Sequence, residues 1–251
     1  MQKVYNVYYN LGCWFLLLIV LVFAGFYTSY FSVFFQPTAP VIHIHFTLMV
    51  LWIAMLITQP FLIKYKKLAI HRMLGKISYV LVPLVLISAF LMIRYSYYNL
   101  INDLQQKAVQ GLNQFTNNQV LQQAAVYEAI AFFYLFWFIT FYSLAILNRR
   151  KTALHARYMM ATALTLFGPT IDRIVFFNLK LPAYIPYELP SLLIIDIILA
   201  LLLLKDYKDK RPTKALWICL LIYVIGQALY FTIPYTTGWQ HFVTFIMKPR
   251  P

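Results

Sequence analysis

Two stretches of this chain, "KLAIHRMLGK" (67–76) and "KTALHARYMM" (151–160), place a Lys four residues ahead of a His and an Arg within two residues after it. Their histidines, His71 and His155, lie 84 positions apart, each at the mouth of a long apolar run. Neutral imidazoles on facing helices are a recurrent way to hold b-type haem, which takes one axial nitrogen from each side of the iron. Arg72, Arg157 and Lys76 stand beside them and suit the propionates, because a cation paired with a carboxylate offsets part of its desolvation. The same residues also suit plainer roles: solvated helix ends at a membrane border, or contacts to a quinone, a lipid or a metal ion.

A second group gathers far from these in the sequence: His43, His45, Glu128, Asp172, Arg173, Glu188, and with them His241. Asp196 lies about eight residues beyond Glu188, deeper in its apolar run. A charge inside a membrane span costs a few kcal/mol, so it faces a partner or a cavity. His45, Trp52 and Gln59 recur every seven residues and share one helical face, which continues this polar seam along the helix. The group could pass protons or a substrate, bind a divalent metal, or perform acid–base chemistry on a lipid. It could also be structural, with Arg173 paired to Asp172 or Asp196. His43 and His45 are two apart and point to different faces of a helix, and no His-Glu-x-x-His pattern occurs.

The elements that must position these groups are set by composition. Of the 251 residues 62% are hydrophobic and 11% charged, with 20 Tyr and 21 Phe. A soluble domain is about 45–50% apolar and about 25% charged, so this chain lacks the polar surface to cover itself in water. A helix crosses the hydrocarbon core with about 20 apolar residues. Seven runs qualify, at 11–35, 41–63, 70–94, 124–147, 153–177, 185–204 and 214–235. The expectation is an all-α polytopic membrane protein, one integral domain over 1–251, because backbone groups in lipid must be paired within helices.

Lys and Arg concentrate in alternate loops, "KYKK" (64–67), "NRRK" (148–151) and "KDYKDKRPTK" (205–214). With Lys3, Arg72, Lys76 and Arg157, that side holds 15 of the 21 bases and only Asp206 and Asp209 as acids. The positive-inside rule then puts the N-terminus in the cytoplasm and the C-terminus outside. The net charge of +14 is thus a topology signal, and nucleic acid is excluded as a partner. An outer loop is expected over 95–123, where Leu100, Leu104, Ala108 and Leu112 recur every four residues, as in an amphipathic surface helix, until Gly111 and the Asn-rich "NQFTNNQ" break the pattern; a flexible polar linker is the equal alternative.

Trp52 precedes His71 by 19 residues and Trp137 precedes His155 by 18, so the hairpins 41–94 and 124–177 read as parallel copies of one unit. A pseudo-twofold axis along the membrane normal would set the two histidines at equal depth in a four-helix core. Gly75, Ser78 and Val82 share the face of His71; Met159, Thr162, Leu166 and Arg173 line up with His155. Pro60, Pro83 and Pro169 are expected to bend their helices, the last just before Asp172. Cys13 and Cys219 sit in apolar runs as small hydrophobes, and no Cys-x-x-Cys-His occurs for covalent haem.

The order His45, Gln59-Pro60, His71-Arg72, Leu74-Gly75-Lys76, His155, Arg157, Met159 and Asp172-Arg173 resembles a bacterial predicted-membrane family, domain of unknown function 2306. The resemblance covers about 40–178 and implies that the second to fifth helices form the core unit, in a bacterial inner membrane. Four-helix membrane cytochromes are similar in outline. Three functions follow as expectations: haem binding and electron transfer with a quinone or a redox partner subunit; a transporter or assembly subunit using the acid–His seam; and a metal-dependent lipid enzyme.

Overall fold

A computed structural model of the chain describes residues 10–179, 181–182 and 184–248; Lys3, counted above with the basic side, lies outside them. The described residues are helical and contain no strand. Helix α1 (Leu11–Phe26) runs into a π-helical turn (Tyr27–Phe31) and is followed by α2 (Pro40–Lys64) and α3 (Leu68–Val109). Next come α4 (Asn117–Tyr127), α5 (Ala129–Leu147), α6 (Thr152–Leu164) and α7 (Phe167–Asn178). Finally come α8 (Leu189–Lys208), α9 (Lys214–Tyr230), a 3-10 turn (Ile233–Tyr235) and α10 (Thr237–Met247).

Among the described residues six runs are long and apolar enough to cross a membrane: Leu11–Phe31, Pro40–Lys64, Leu68–Val109, Asn117–Leu147, Thr152–Asn178 and Lys214–Tyr235. Their outward faces carry large exposed apolar side chains such as Leu17, Val20, Ile77, Leu84 and Leu221, which only lipid can cover at low cost. The chain is therefore a helical integral membrane protein in contact with a bilayer. The span expected at 185–204 forms α8, but Asp196, Lys205, Asp206 and Lys208 set it apart from the six apolar runs.

The stretch 95–123, expected as an outer loop, is mostly helix. Nothing between Pro83 and Gly111 interrupts the backbone, so α3 continues to Val109, and its 42 residues reach about 63 Å at 1.5 Å per residue. The Leu100–Leu104–Ala108 repeat belongs to this projecting half of α3 and not to a separate surface helix. Gly111, at φ +71, ends it in a left-handed turn. Helix α4 then starts in a capping box between Thr116 and Gln119. Tyr97 and Ile101 of α3 pack with Val120, Ala124 and Ala125 of α4 and with Val243 and Met247 of α10. Helix α10 is too short to span and has no counterpart in the seven expected runs. Trp239 Nε1 ties it down by donating to the Ala125 carbonyl at 2.8 Å.

Two spans are broken where charges sit. The helix containing Glu128 is offset there, that residue closing α4 and opening α5. Pro169 cannot donate to the carbonyl of Thr165, and the helix breaks at Thr165–Leu166, four and three residues before it. The line from His155 through Met159 and Thr162 accordingly stays on α6, whereas Arg173 sits on α7. Pro60 and Pro83 lie inside unbroken helices.

Helices α2–α3, α5–α6 and α8–α9 pack as hairpins, and α1 lies against α2 and α7. Between the first two hairpins α3 meets α5 and α2 meets α6. Trp52 and Trp137 are both sealed from solvent. Trp52 packs on Phe138 and Tyr142 of α5. Trp137 instead turns to α9, where its Nε1 donates to the Ile222 carbonyl at 3.2 Å, and any Cβ at Gly226 would overlap it. The two tryptophans are thus alike in sequence and in burial but not in partner.

Candidate functional site: a polar seam along one helix

At the acidic end of the bundle, the backbone brings together groups from six elements. Gly25 of α1 lies so close to the carbonyl of Thr170 that a Cβ there would overlap it. That contact sets the next residue, Phe26, beneath Arg173 of α7, whose guanidinium carbon is 4.4 Å from the ring centre. Gly168, in the first turn of α7, leaves room for the ring of Tyr134, and the Tyr134 hydroxyl donates to Asp172 Oδ2 at 2.6 Å. Glu128 lies at the α4–α5 offset, near Ser96 and within electrostatic reach of Arg173. The hydroxyls of Tyr187 and Tyr230 lie near the Glu188 carboxylate and feel its charge. His45 of α2 also feels the charge of Arg173, and its Nδ1 is 3.0 Å from the hydroxyl of Ser88 on α3.

The sequence-predicted acidic group is therefore largely assembled: His45, Glu128, Asp172, Arg173 and Glu188 converge. Three members do not join it. His43 is held by the Tyr30 hydroxyl at 3.0 Å and the Thr38 hydroxyl at 2.7 Å, closing the α1–α2 connection. Asp196 accepts from Gln227 Nε2 of α9 at 3.0 Å, and His241 is exposed on α10. Ion pairing of Arg173 with Asp172 or Asp196 does not occur among the described residues. Neighbours on a helix point about 100° apart, and Asp172 is turned to Tyr134. Nor do three His, Cys, Asp or Glu side chains group to hold a metal ion among those residues.

From this cluster the seam follows α2. Trp52 lies two turns beyond His45, and Gln59 two turns beyond Trp52; the Gln59 Nε2 donates to the His71 carbonyl at 3.3 Å. On the facing helices Ser78 and Tyr142 hydroxyls are 2.8 Å apart. Five buried polar atoms along this line have no hydrogen-bond partner: Glu128 Oε1, Asp172 Oδ1, Trp52 Nε1, Gln59 Oε1 and His71 Nδ1. Leaving one such atom unsatisfied costs about 1–3 kcal/mol.

At the basic end His71 and His155 come close enough to sense each other's charge. His155 Nδ1 is 2.9 Å from the Ala145 carbonyl, the orientation that leaves Nε2 of the neutral ring free to accept a proton or ligate a metal. A Cβ on Gly75 would meet nothing within 4 Å, so the wall beside His71 is open. In donor type the two imidazoles suit axial ligation of a haem. Its expected propionate partners divide: Arg72 and Lys76 are exposed, whereas Arg157 is buried and donates through Nε and Nη2 to Asp206 at 2.9 and 2.6 Å.

The ion pair of Arg157 with Asp206, from an acid assigned only to loop charge, is the main site residue set that sequence reasoning missed. Tyr134, Tyr187, Tyr230, Ser88 and Ser96 were missed as well. The one available signal was the excess of tyrosine in an apolar chain. Comparison of the chain with known protein families, with curated proteins and with solved structures finds no match.

Proposed function

We propose that the chain is a seven-helix membrane protein, N-terminus on the basic side, that passes protons along α2 between the acidic cluster and the His71–His155 pair. The observation that carries this reading is the row of five unpartnered buried polar atoms. A purely structural bundle would fill those positions with apolar atoms, whereas a proton path needs groups that can take up and release a hydrogen bond. The row holds three acceptor oxygens, from Glu128, Asp172 and Gln59, one donor, from Trp52, and the imidazole of His71, which can serve as either. Glu128, Asp172, His45, His71 and His155 can all titrate. From His45 to Gln59 the seam runs fourteen residues, about 21 Å of a hydrocarbon core about 30 Å thick. The helix breaks at Glu128 and before Asp172 support the same reading, since discontinuous helices commonly line membrane transport sites. The cross-contacts α3–α5 and α2–α6 are the pair that a twofold exchange of hairpins would interchange, in keeping with a pseudo-symmetric core over the part that resembles the uncharacterised family.

The test is proton flux. Purified protein in liposomes holding a trapped pH dye, driven by a potassium diffusion potential with valinomycin, should acidify the interior faster than protein-free vesicles. Equal rates would overturn the reading.

A second reading, favoured by the anchored Nδ1 of His155 opposite His71, is a b-type haem between them. Haem would supply one-electron chemistry; His71 and His155 would hold it, with Arg72 and Lys76 at its edge. Protein purified from haem-supplied cells should then show a Soret band that sharpens on dithionite reduction and is lost in both His71→Ala and His155→Ala. A featureless spectrum sinks this reading and leaves the proton path untouched.

A further inference from the structure

We infer that Arg173 is a binding site for a small monocarboxylate anion, and that the anion binds together with a proton taken up by Glu128 or Asp172. The inference rests on the proton path and names what travels with the proton.

Arg173 is a half-buried cation with no ion-pair partner among the described residues. One of its nitrogens, Nη1, donates to the Pro169 carbonyl at 2.8 Å. The other guanidinium N–H groups meet no protein acceptor among those residues and are not sealed off, unlike the unpartnered atoms of the seam. Phe26 covers one face of the guanidinium, so its open donors lie in the plane, the arrangement that grips a carboxylate through two parallel hydrogen bonds. A cation held this way in a membrane without a direct ion-pair partner is costly, and an anion bonded to it offsets part of that cost.

The acids decide when it can. Glu128 and Asp172 are 3% and 5% exposed, and each has one oxygen without a partner. Both act on Arg173 electrostatically, as do His45 of α2, Tyr127 at the end of α4, Tyr134 of α5 and Tyr187 ahead of α8; Glu188 adds a further negative charge near Asp172. With all three carboxylates ionised, the cluster carries three negative charges against one positive charge, and a second anion is repelled. Protonating Glu128 or Asp172 lowers that repulsion and gives its carboxyl a hydrogen to donate. Coupling of this kind is reciprocal: the proton strengthens anion binding, and the anion strengthens proton binding by the same factor. Affinity should therefore rise as pH falls, by about tenfold per unit when one proton enters with each anion. A monocarboxylate fits better than phosphate, whose second charge would face the remaining acids.

The experiment is calorimetric titration of the full-length protein in detergent with sodium acetate, at two pH values and in two buffers of different ionisation enthalpy. Wild type should bind acetate more tightly at the lower pH and take up about one proton per acetate. Glu128→Gln/Asp172→Asn, which copies the protonated acids, should bind acetate equally at both pH values with no proton uptake. Arg173→Gln should not bind it. Acetate binding that survives Arg173→Gln overturns the inference, as does affinity independent of pH in wild type. Absence of binding in both wild type and the double variant does so too, and this arm does not depend on how Arg173→Gln folds. Tighter binding of inorganic phosphate than of acetate overturns the assignment of the anion. Binding needs no transport, so failed proton flux with intact acetate binding would sink the path while leaving the site.

Discussion

Asp172→Asn should cut proton flux into liposomes by about two orders of magnitude, the low end of what a positioned proton donor or acceptor contributes. The substitution keeps the shape of the side chain and an oxygen that can accept from Tyr134, whose hydroxyl lies 2.6 Å from Asp172 in the native protein. What it removes is the ability to bind and release a proton. Because Asp172 is 5% exposed and faces no cation within ion-pairing distance among the described residues, losing its charge costs the fold little or stabilises it. Loss of flux together with an unchanged unfolding midpoint is therefore the informative result. Tyr134→Phe removes this hydrogen bond but leaves the acid in place, with the Ser191 hydroxyl still beside it, so flux should persist. Native flux in Asp172→Asn would remove this acid from the path.

The fold was legible in the sequence wherever one physical rule dominated. Apolar length alone located six of the seven expected spans, because lipid tolerates nothing else, and the break before Asp172 followed from Pro169. The acidic cluster was legible through the cost of charge in a membrane: Glu128, Asp172, Arg173 and Glu188 had to find company, and they did. Pairing was harder to read. Arg157 stands two residues from His155 in sequence, yet it is matched to Asp206, 49 residues away at the end of α8, a choice made by the packing of α6 against α9 and of α9 against α8 that no local pattern encodes. The projecting half of α3 was hidden for a different reason. Its Asn and Gln residues read as loop, but polar composition does not end a helix; only the left-handed turn at Gly111 does. Helix α10 owes its place to contacts with α3 and α4, which exist only after folding. The hydroxyl groups beside the acids were invisible because tyrosine in an apolar chain is ordinarily packing.

Removal of the Asp206 carboxylate, as in Asp206→Ala, should destabilise the protein by about 3–5 kcal/mol, the usual result of leaving one partner of a buried pair uncompensated. Arg157 is 2% exposed, and two of its nitrogens bond Asp206 Oδ2 while Nη1 bonds the Ala153 carbonyl. Arg211 is also drawn toward this acid, at 3.8 Å from Oδ1, so one carboxylate balances charge from two arginines. Replacing the whole Arg157–Asp206 pair is a different experiment. In Arg157→Met/Asp206→Leu no buried charge is stranded between these two positions, and apolar side chains of similar size restore packing, so most of the loss should return. Denaturant titration in detergent micelles reads both variants. If the single and the double variant lose the same stability, the pair is not acting as a buried salt bridge, and Arg157 must owe its position to its other contacts. If the double variant recovers, Arg157 is a structural clamp between α6 and the end of α8. The basic residues left to serve a ligand beside His71 and His155 are then the exposed Arg72 and Lys76, which limits any anionic group bound there to the open rim of the site.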